Sequence, residues 1–304
     1  MALSIVVPVF NAEQTLRPLA SALEVFAQST PIEVILVNDG SRDQSWEIIL
    51  QLATEYSWIR GINLMRNFGQ HNALLCGIRA ARREIIVTMD DDLQNPPEEI
   101  PAMLAKLAEG YDVVYGTPLR ESHGLFRDLA SQITKLALQG AMGASTAASV
   151  SAFRVFRAGL REAFEHYTGP YVSIDVLLTW STDRFAAVRV VNRPRIAGVS
   201  NYTLIKLITH ALNMITGFST IPLRFASFLG FTFTAFGVLV LAYILGRYLV
   251  QGDVVSGFPF LGSIIAIFSG VQLFTLGIFG EYLARMHSRT MEKPSYAVRA
   301  ATYL

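Results

Sequence analysis

Three consecutive acids, Asp90-Asp91-Asp92, followed by Leu93-Gln94, form the most chemically loaded stretch of the chain. Adjacent carboxylates raise one another's pKa unless a cation sits among them. A hard divalent ion such as Mg²⁺ takes oxygen ligands and bridges one or two carboxylates to substrate phosphates. In an extended segment Asp90 and Asp92 face one side and suit one ion, while Asp91 points away. The alternative is a solvated acidic turn capping the helix that begins near Pro96-Pro97-Glu98-Glu99. A second polar cluster, Asn38-Asp39-Gly40-Ser41, offers Asp39 as an acceptor for a nucleobase imino group or a ribose hydroxyl. The same residue types also make turns and N-caps. His71 is a further candidate for lining a pocket, whereas His210 reads as a polar residue of an interfacial helix.

Elements that alternate in type must position these groups. Val- and Ile-rich runs predict strands at Leu3–Val9, Glu33–Val37, Arg60–Leu64, Glu84–Met89 and Asp112–Gly116. Amphipathic patterns between them predict helices near Glu13–Ala27, Gln44–Tyr56, His71–Arg82 and Pro97–Gly110. Such alternation implies βαβ units and a mostly parallel sheet, an α/β fold whose ligands sit outside the carboxyl ends of the strands. Those ends carry Pro8-Val9-Phe10-Asn11, Asn38-Asp39-Gly40-Ser41 and the acidic triplet. No G-x-G-x-x-G follows the first strand and no G-x-x-x-x-G-K-[ST] exists, which removes most support for dinucleotide and P-loop chemistry.

The last third of the chain is different. Phe225 to about Gly246 and Phe258 to about Gly280 are each about 22 residues without a charge, and roughly 20 helical residues span a bilayer. The chain is 52% hydrophobic and only 16% charged. A net charge of +1 provides no basic field for nucleic acid. One cysteine, Cys76, excludes an internal disulfide and any metal site built on several cysteines. The amino terminus lacks a basic n-region and reads as a first strand, not a signal peptide. Lys206 and Arg224 precede the spans, and Arg285, Arg289, Lys293 and Arg299 follow them. The positive-inside bias therefore puts the soluble part and both termini on the cytoplasmic side of an integral membrane protein. Arg247 near the outer end of the first span runs against this and is read as snorkelling. The expected organisation is a cytoplasmic domain over 1–203, an interfacial amphipathic helix over 204–223, a two-span hairpin over 224–284 and a cytoplasmic tail over 285–304.

Taken in order, these motifs resemble those of family 2 glycosyltransferases of the GT-A fold, in the branch acting on polyprenyl phosphates. Val6-Val7-Pro8-Val9-Phe10-Asn11 resembles the family's first strand. Val37-Asn38-Asp39-Gly40-Ser41 resembles V-D-D-G-S, with Asn38 in place of the first acid. Arg66-Asn67-Phe68-Gly69-Gln70-His71 resembles R-N-x-G-Q-x. Asp90-Asp91-Asp92-Leu93-Gln94-Asn95-Pro96-Pro97-Glu98 is similar to D-x-D-L-Q-x-P-P-E. Arg195-Ile196-Ala197-Gly198-Val199-Ser200-Asn201-Tyr202 resembles R-x-x-G-x-S-K-Y. Gly280-Glu281-Tyr282-Leu283 and Lys293-Pro294-Ser295-Tyr296 complete the series. Within the branch the likeness is to undecaprenyl-phosphate aminoarabinose and glucosyl transferases and, more distantly, dolichol-phosphate mannose synthases.

The resemblance implies inverting transfer of one sugar from a nucleotide-sugar, UDP- in preference to GDP-, to polyprenyl phosphate at the bilayer surface. Asp90, Asp92 and Gln94 would hold Mg²⁺ or Mn²⁺ on the donor diphosphate. Pro8, Phe10, Asn11, Asp39 and Asp91 would bind the nucleotide. Arg120 and Arg127 resemble phosphate-binding arginines, and Arg127 joins Asp90 and Asp92 in the catalytic set. Arg195, Ser200, Asn201 and Tyr202 would shape the acceptor end. A homotetramer is also implied. Three departures stand out: Asn38, Asn201 where many relatives carry Lys, and Ala152 where some carry an acid. Asp91 or Asp175 is a candidate substitute for that acid, or none is needed, or the activity is impaired. A non-catalytic nucleotide-binding scaffold and a processive polysaccharide synthase are the alternative functions. The second lacks its Q-x-x-R-W motif here, and two spans are too few for a polymer channel.

Overall fold

A computed structural model describes residues 2–118, 149–169, 172–193, 220–251 and 258–302. It divides the chain into two compact units, one made of Met1–Ala211 with Glu292–Leu304 and the other of Leu212–Met291.

In the first unit, β1 (Leu3–Val9), β2 (Ile32–Asn38), β3 (Ile59–Leu64) and β4 (Ile85–Thr88) are joined by α1 (Leu16–Ala27), α2 (Ser45–Glu55) and α3 (Gln70–Ala80). A single 3₁₀ turn, Pro97–Glu99, leads into α4 (Ile100–Ala108), followed by β5 (Val113–Pro118), β6 (Arg154–Arg157), α5 (Ile174–Leu178) and β7 (Phe185–Val190). The sheet runs β7-β5-β6-β4-β1-β2-β3-β8, where β8 is Val298–Ala301. Strands β1 to β4 are parallel to one another, β6 is antiparallel to both its neighbours, and β8 is antiparallel to β3. The expected mostly parallel α/β sheet is therefore present as a mixed one. Every residue of β1 and β2 is buried, because helices cover both faces and the strands need no polar alternation. Leu16, Leu19 and Leu23 of α1 pack on one face, and Leu74, Leu75 and Ile78 of α3 pack on the other. Cys76 lies in that second layer, and burial pushes its thiol up to about 12, leaving it inert.

The ordering β3-β2-β1-β4 reverses direction between β1 and β4, and such a reversal opens a crevice at the carboxyl ends of the strands. Pro8 sharpens the opening. The β1–β4 ladder ends at Val6 opposite Thr88, with the Met89 N–H donating to the Val6 carbonyl at 3.3 Å. Pro8, two residues on, faces the same side and has no N–H to continue the ladder.

The described part of the expected tail, residues 285–302, carries regular structure. The second long helix runs on to Thr290, and β8 then adds an eighth strand to the sheet. The Gly61 N–H donates to Thr302 Oγ1, and the Thr302 N–H donates to the Gly61 carbonyl, both at 2.9 Å. No periodicity marks so short a strand; it exists because the edge of β3 offers unpaired backbone groups.

In the second unit, α6 (Ile221–Gln251) and α7 (Phe258–Thr290) are long, apolar helices. Ile221–Arg247 and Ile267–Thr290 are long and apolar enough to cross a membrane. Phe233 meets Phe268 edge-on at 6.0 Å, and Gly237 makes room for that ring, since a Cβ there would stand 2.9 Å from it. Ser227, Thr232, Thr234 and Thr275 donate to carbonyls four residues back, which satisfies their hydroxyls without water. The interfacial helix expected over 204–223 lies outside the described residues up to Ser219.

Candidate active site

The crevice is lined from three sides. From β1 comes the Phe10-Asn11 turn: Phe10 is 39% exposed, and Asn11 takes the left-handed φ of 53° that Asn tolerates better than most residues. The Asn11 N–H donates to Ser41 Oγ at 3.0 Å, and its Oδ1 accepts from the Arg42 N–H at 2.9 Å. The first and second strand ends are thereby tied together.

From β2 comes Asp39, only 2% exposed. Its Oδ1 accepts the Phe68 N–H at 2.7 Å and its Oδ2 the Gly69 N–H at 2.8 Å. Burial pushes this carboxyl above its ordinary value, partly offset by those two N–H groups and by Arg66. Asn38, in place of an acid, donates to Asn63 Oδ1 at 2.9 Å and accepts the Ser41 N–H. An amide serves both contacts at once, which a carboxylate, having no donor, does not.

From β4 comes the acidic turn. Here the expectation of an extended segment is corrected: β4 stops at Thr88, Asp91 and Asp92 lie in a turn, and Leu93 has φ 56°. Strand alternation therefore does not place the carboxylates. Asp92 is buried and its Oδ1 accepts the Gln94 N–H at 3.1 Å, while Asp90 and Asp91 are half-buried. Gln70 Nε2 donates to Asp90 Oδ1 at 2.7 Å. Gln94 is half-buried, and its carbonyl accepts the Arg193 N–H at 2.9 Å. Among the described residues no three His, Cys, Asp or Glu side chains converge to hold an ion by themselves.

Pro8, Phe10, Asn11, Asp39, Asp90, Asp91, Asp92 and Gln94 thus all sit at the carboxyl ends of β1, β2 and β4. Arg120, Arg127, Arg195, Ser200, Asn201 and Tyr202 lie outside the described residues. His71 is half-buried, and its Nδ1 accepts the Ile174 N–H at 3.3 Å. Asp175, a candidate substitute for an acid at Ala152, is buried. Its Oδ1 accepts Arg154 Nη1 at 2.6 Å and the Tyr115 hydroxyl at 3.1 Å. Arg154 lies opposite Thr88 in the β4–β6 ladder, and Thr88 Oγ1 donates to the Ala152 carbonyl at 2.8 Å. Tyr115, Arg154 and Gln70 carry no assignment from sequence. Tyr115 and Arg154 are opposite each other on β5 and β6, an antiparallel register that the alternating βα pattern does not announce.

The model of "Glycosyl transferase family 2" matches residues 4–172. The undecaprenyl-phosphate 4-deoxy-4-formamido-L-arabinose transferase of Pectobacterium carotovorum is 32% identical, covering 97% of this chain and 92% of the relative. The protein of the same name from Pseudomonas paraeruginosa is 34% identical, covering 98% and 91%. Among solved structures, glucosyl-3-phosphoglycerate synthase from Mycobacterium tuberculosis, in complex with Mn²⁺, UDP and glucosyl-3-phosphoglycerate, superposes with a TM-score of 0.55. It is 18% identical and covers 71% of this chain and 77% of its own, so it speaks to the fold alone. With a domain of GT-A type, a crevice at its switch point and two long apolar helices later in the sequence, the chain belongs to glycosyl transferase family 2.

Proposed function

We propose that this glycosyltransferase moves a single sugar from a nucleotide-sugar, UDP- in preference to GDP-, to undecaprenyl or a related polyprenyl phosphate, with inversion at the anomeric carbon. One observation carries the reading. Likeness to undecaprenyl-phosphate sugar transferases extends over 97% of the chain, through the apolar helices as well as the sheet. A lipid-borne acceptor explains why one polypeptide carries both.

The nucleoside would lie over Pro8, Phe10, Asn11 and the Asp39 turn, with Asp91 alongside. Asp90, Asp92 and Gln94 offer hard carboxylate and amide oxygens within one turn, which suits Mg²⁺ or Mn²⁺. A set of one or two carboxylates also matches an ion whose shell is completed by substrate phosphates. When bound, such an ion offsets charge developing on the leaving nucleoside diphosphate. Arg120 and Arg127 would grip phosphate through guanidinium forks, and Arg195, Ser200, Asn201 and Tyr202 would meet the acceptor phosphate. A phosphate monoester has its second pKa at about 6, so the acceptor is mostly dianionic at neutral pH and is itself the nucleophile. Ala152 is then tolerable, and Asp175 is left to its buried pair with Arg154. The catalytic unit and both chain ends face the cytoplasm in this reading, and the spans pack against copies in a homo-oligomer, a tetramer by family resemblance.

The test is transfer by purified protein to undecaprenyl phosphate, with Mg²⁺ or Mn²⁺ and a panel of UDP- and GDP-sugars. A metal-dependent product carrying one sugar supports the reading and names the donor. A product extended beyond one sugar would point to a polymer synthase, and nucleotide binding without product from any donor would point to a scaffold.

A further inference from the structure

The loop over 66–69, between β3 and α3, is built onto the turn that follows β2. Buried Asp39 takes the Phe68 and Gly69 N–H groups on its two oxygens. Gly40 lies flat against the same loop. A Cβ there would stand 2.6 Å from the Arg66 carbonyl carbon and the Asn67 nitrogen, at a φ of +67° that disfavours any side chain. The Asn72 amide closes the far side by donating to the Phe68 carbonyl at 2.6 Å. What this scaffold presents is Gln70, whose Nε2 reaches Asp90 Oδ1 at 2.7 Å.

We propose that Gln70 is a positioning residue for the divalent cation. Its amide fixes the rotation of the Asp90 carboxylate, and Asp39 and Gly40 hold the loop that carries it. The proposal rests on the reading of Asp90 as a cation ligand. A carboxylate has a broad terminal torsion and settles into one orientation only when a neighbour holds it. Ligating carboxylates are themselves hydrogen-bonded for this reason, and removing such a partner weakens metal affinity by about 10- to 100-fold. Half-buried Asp90 belongs at the lower end of that range. Asp39 thereby acquires a task besides nucleoside contact, and the Asn38-Asp39-Gly40 turn becomes mechanically continuous with the acidic turn.

The experiment is Mn²⁺ binding to the full-length, detergent-solubilised protein at saturating UDP, read from the free Mn²⁺ signal by electron paramagnetic resonance, beside UDP affinity in EDTA. In Gln70→Ala, Mn²⁺ affinity is expected to fall about tenfold while UDP affinity in EDTA is unchanged. Gly40→Ala, which displaces the loop without touching Asp90, is expected to weaken Mn²⁺ in the same direction, with circular dichroism confirming its fold. Unchanged Mn²⁺ affinity in Gln70→Ala overturns the positioning role. An equal loss of UDP affinity in EDTA also overturns it, making Gln70 a donor contact instead. Wild-type protein that takes up no Mn²⁺ with UDP would overturn the underlying cation reading, a result distinct from either.

Discussion

Single residues divide into those that face the crevice and those that hold it. Asp92 is buried and holds the acidic turn, its Oδ1 accepting the Gln94 N–H, and in the proposed function it is also a cation ligand. Asp92→Ala is expected to reduce transfer by about 100-fold or more, because a bound metal supplies several kcal/mol of transition-state stabilisation. Membrane insertion should remain intact, which fractionation of the mutant would check; retained turnover would sink the assignment. Glu33 shows the opposite kind of residue, lying at the start of β2, away from the carboxyl ends. Burial pushes its carboxyl up, yet hydrogen bonds from Ser4, the Arg82 N–H and Arg60 outweigh burial and hold it below its ordinary value. An acid with a lowered folded-state pKa adds stability above its unfolded-state pKa and loses it as pH falls through the folded one. Glu33→Gln should therefore cost about 1–3 kcal/mol at neutral pH. Denaturant midpoints of the two proteins are expected to converge on acidification; a gap that persists at acid pH would mean the charge is irrelevant.

At the scale of elements, β8 is the least anticipated piece. It covers β3, whose outer edge would otherwise present unpaired backbone groups to any passing strand. Side chains reinforce the ladder. Ser295 Oγ donates to the Gly169 carbonyl at 3.0 Å, and Arg299 Nη2 donates to the Met65 carbonyl at 3.1 Å. Gly61, which exchanges hydrogen bonds with Thr302, has Ile49 so close that a Cβ would stand 2.4 Å away. Truncation after Met291 is expected to lower the thermal midpoint of the sheet domain and to promote self-association through the bared edge. Calorimetry and size-exclusion chromatography would check this, and an unaltered midpoint would make β8 a passenger.

For the whole molecule, the chain leaves the sheet unit, forms two apolar helices and returns to supply a strand of that same unit. A polypeptide with that connectivity crosses a bilayer an even number of times. In sealed vesicles of known orientation, a protease site inserted after Met291 and one within the 1–118 region should be cut together or protected together. We expect protection in right-side-out vesicles, in keeping with the basic residues that flank the helices. Cleavage of only one site would rule out the hairpin.

The sequence alone determined the alternation of strands and helices, the two long apolar helices and the acidic, Asn-Asp-Gly-Ser and Pro-aromatic-Asn clusters. Each of these is a local pattern, set by periodicity or by residues a few positions apart. Two of the four expected helices begin three residues too early, as at Leu16 instead of Glu13. There the Glu13 N–H donates to Asp43 Oδ2 and Glu13 Oε2 accepts the Gln44 N–H, contacts 30 and 31 residues apart that no local pattern announces. Tertiary structure decided whatever depends on partners far apart in the chain. It made the acidic segment a turn, set β6 antiparallel, paired Arg154 with Asp175, and brought residues 298–302 to the edge of β3. It also turned Asp39 toward Phe68 and Gly69 and laid Gln70 on Asp90. Backbone N–H groups and strand edges recruit whichever acceptor the fold delivers, and no spacing along the chain records that delivery.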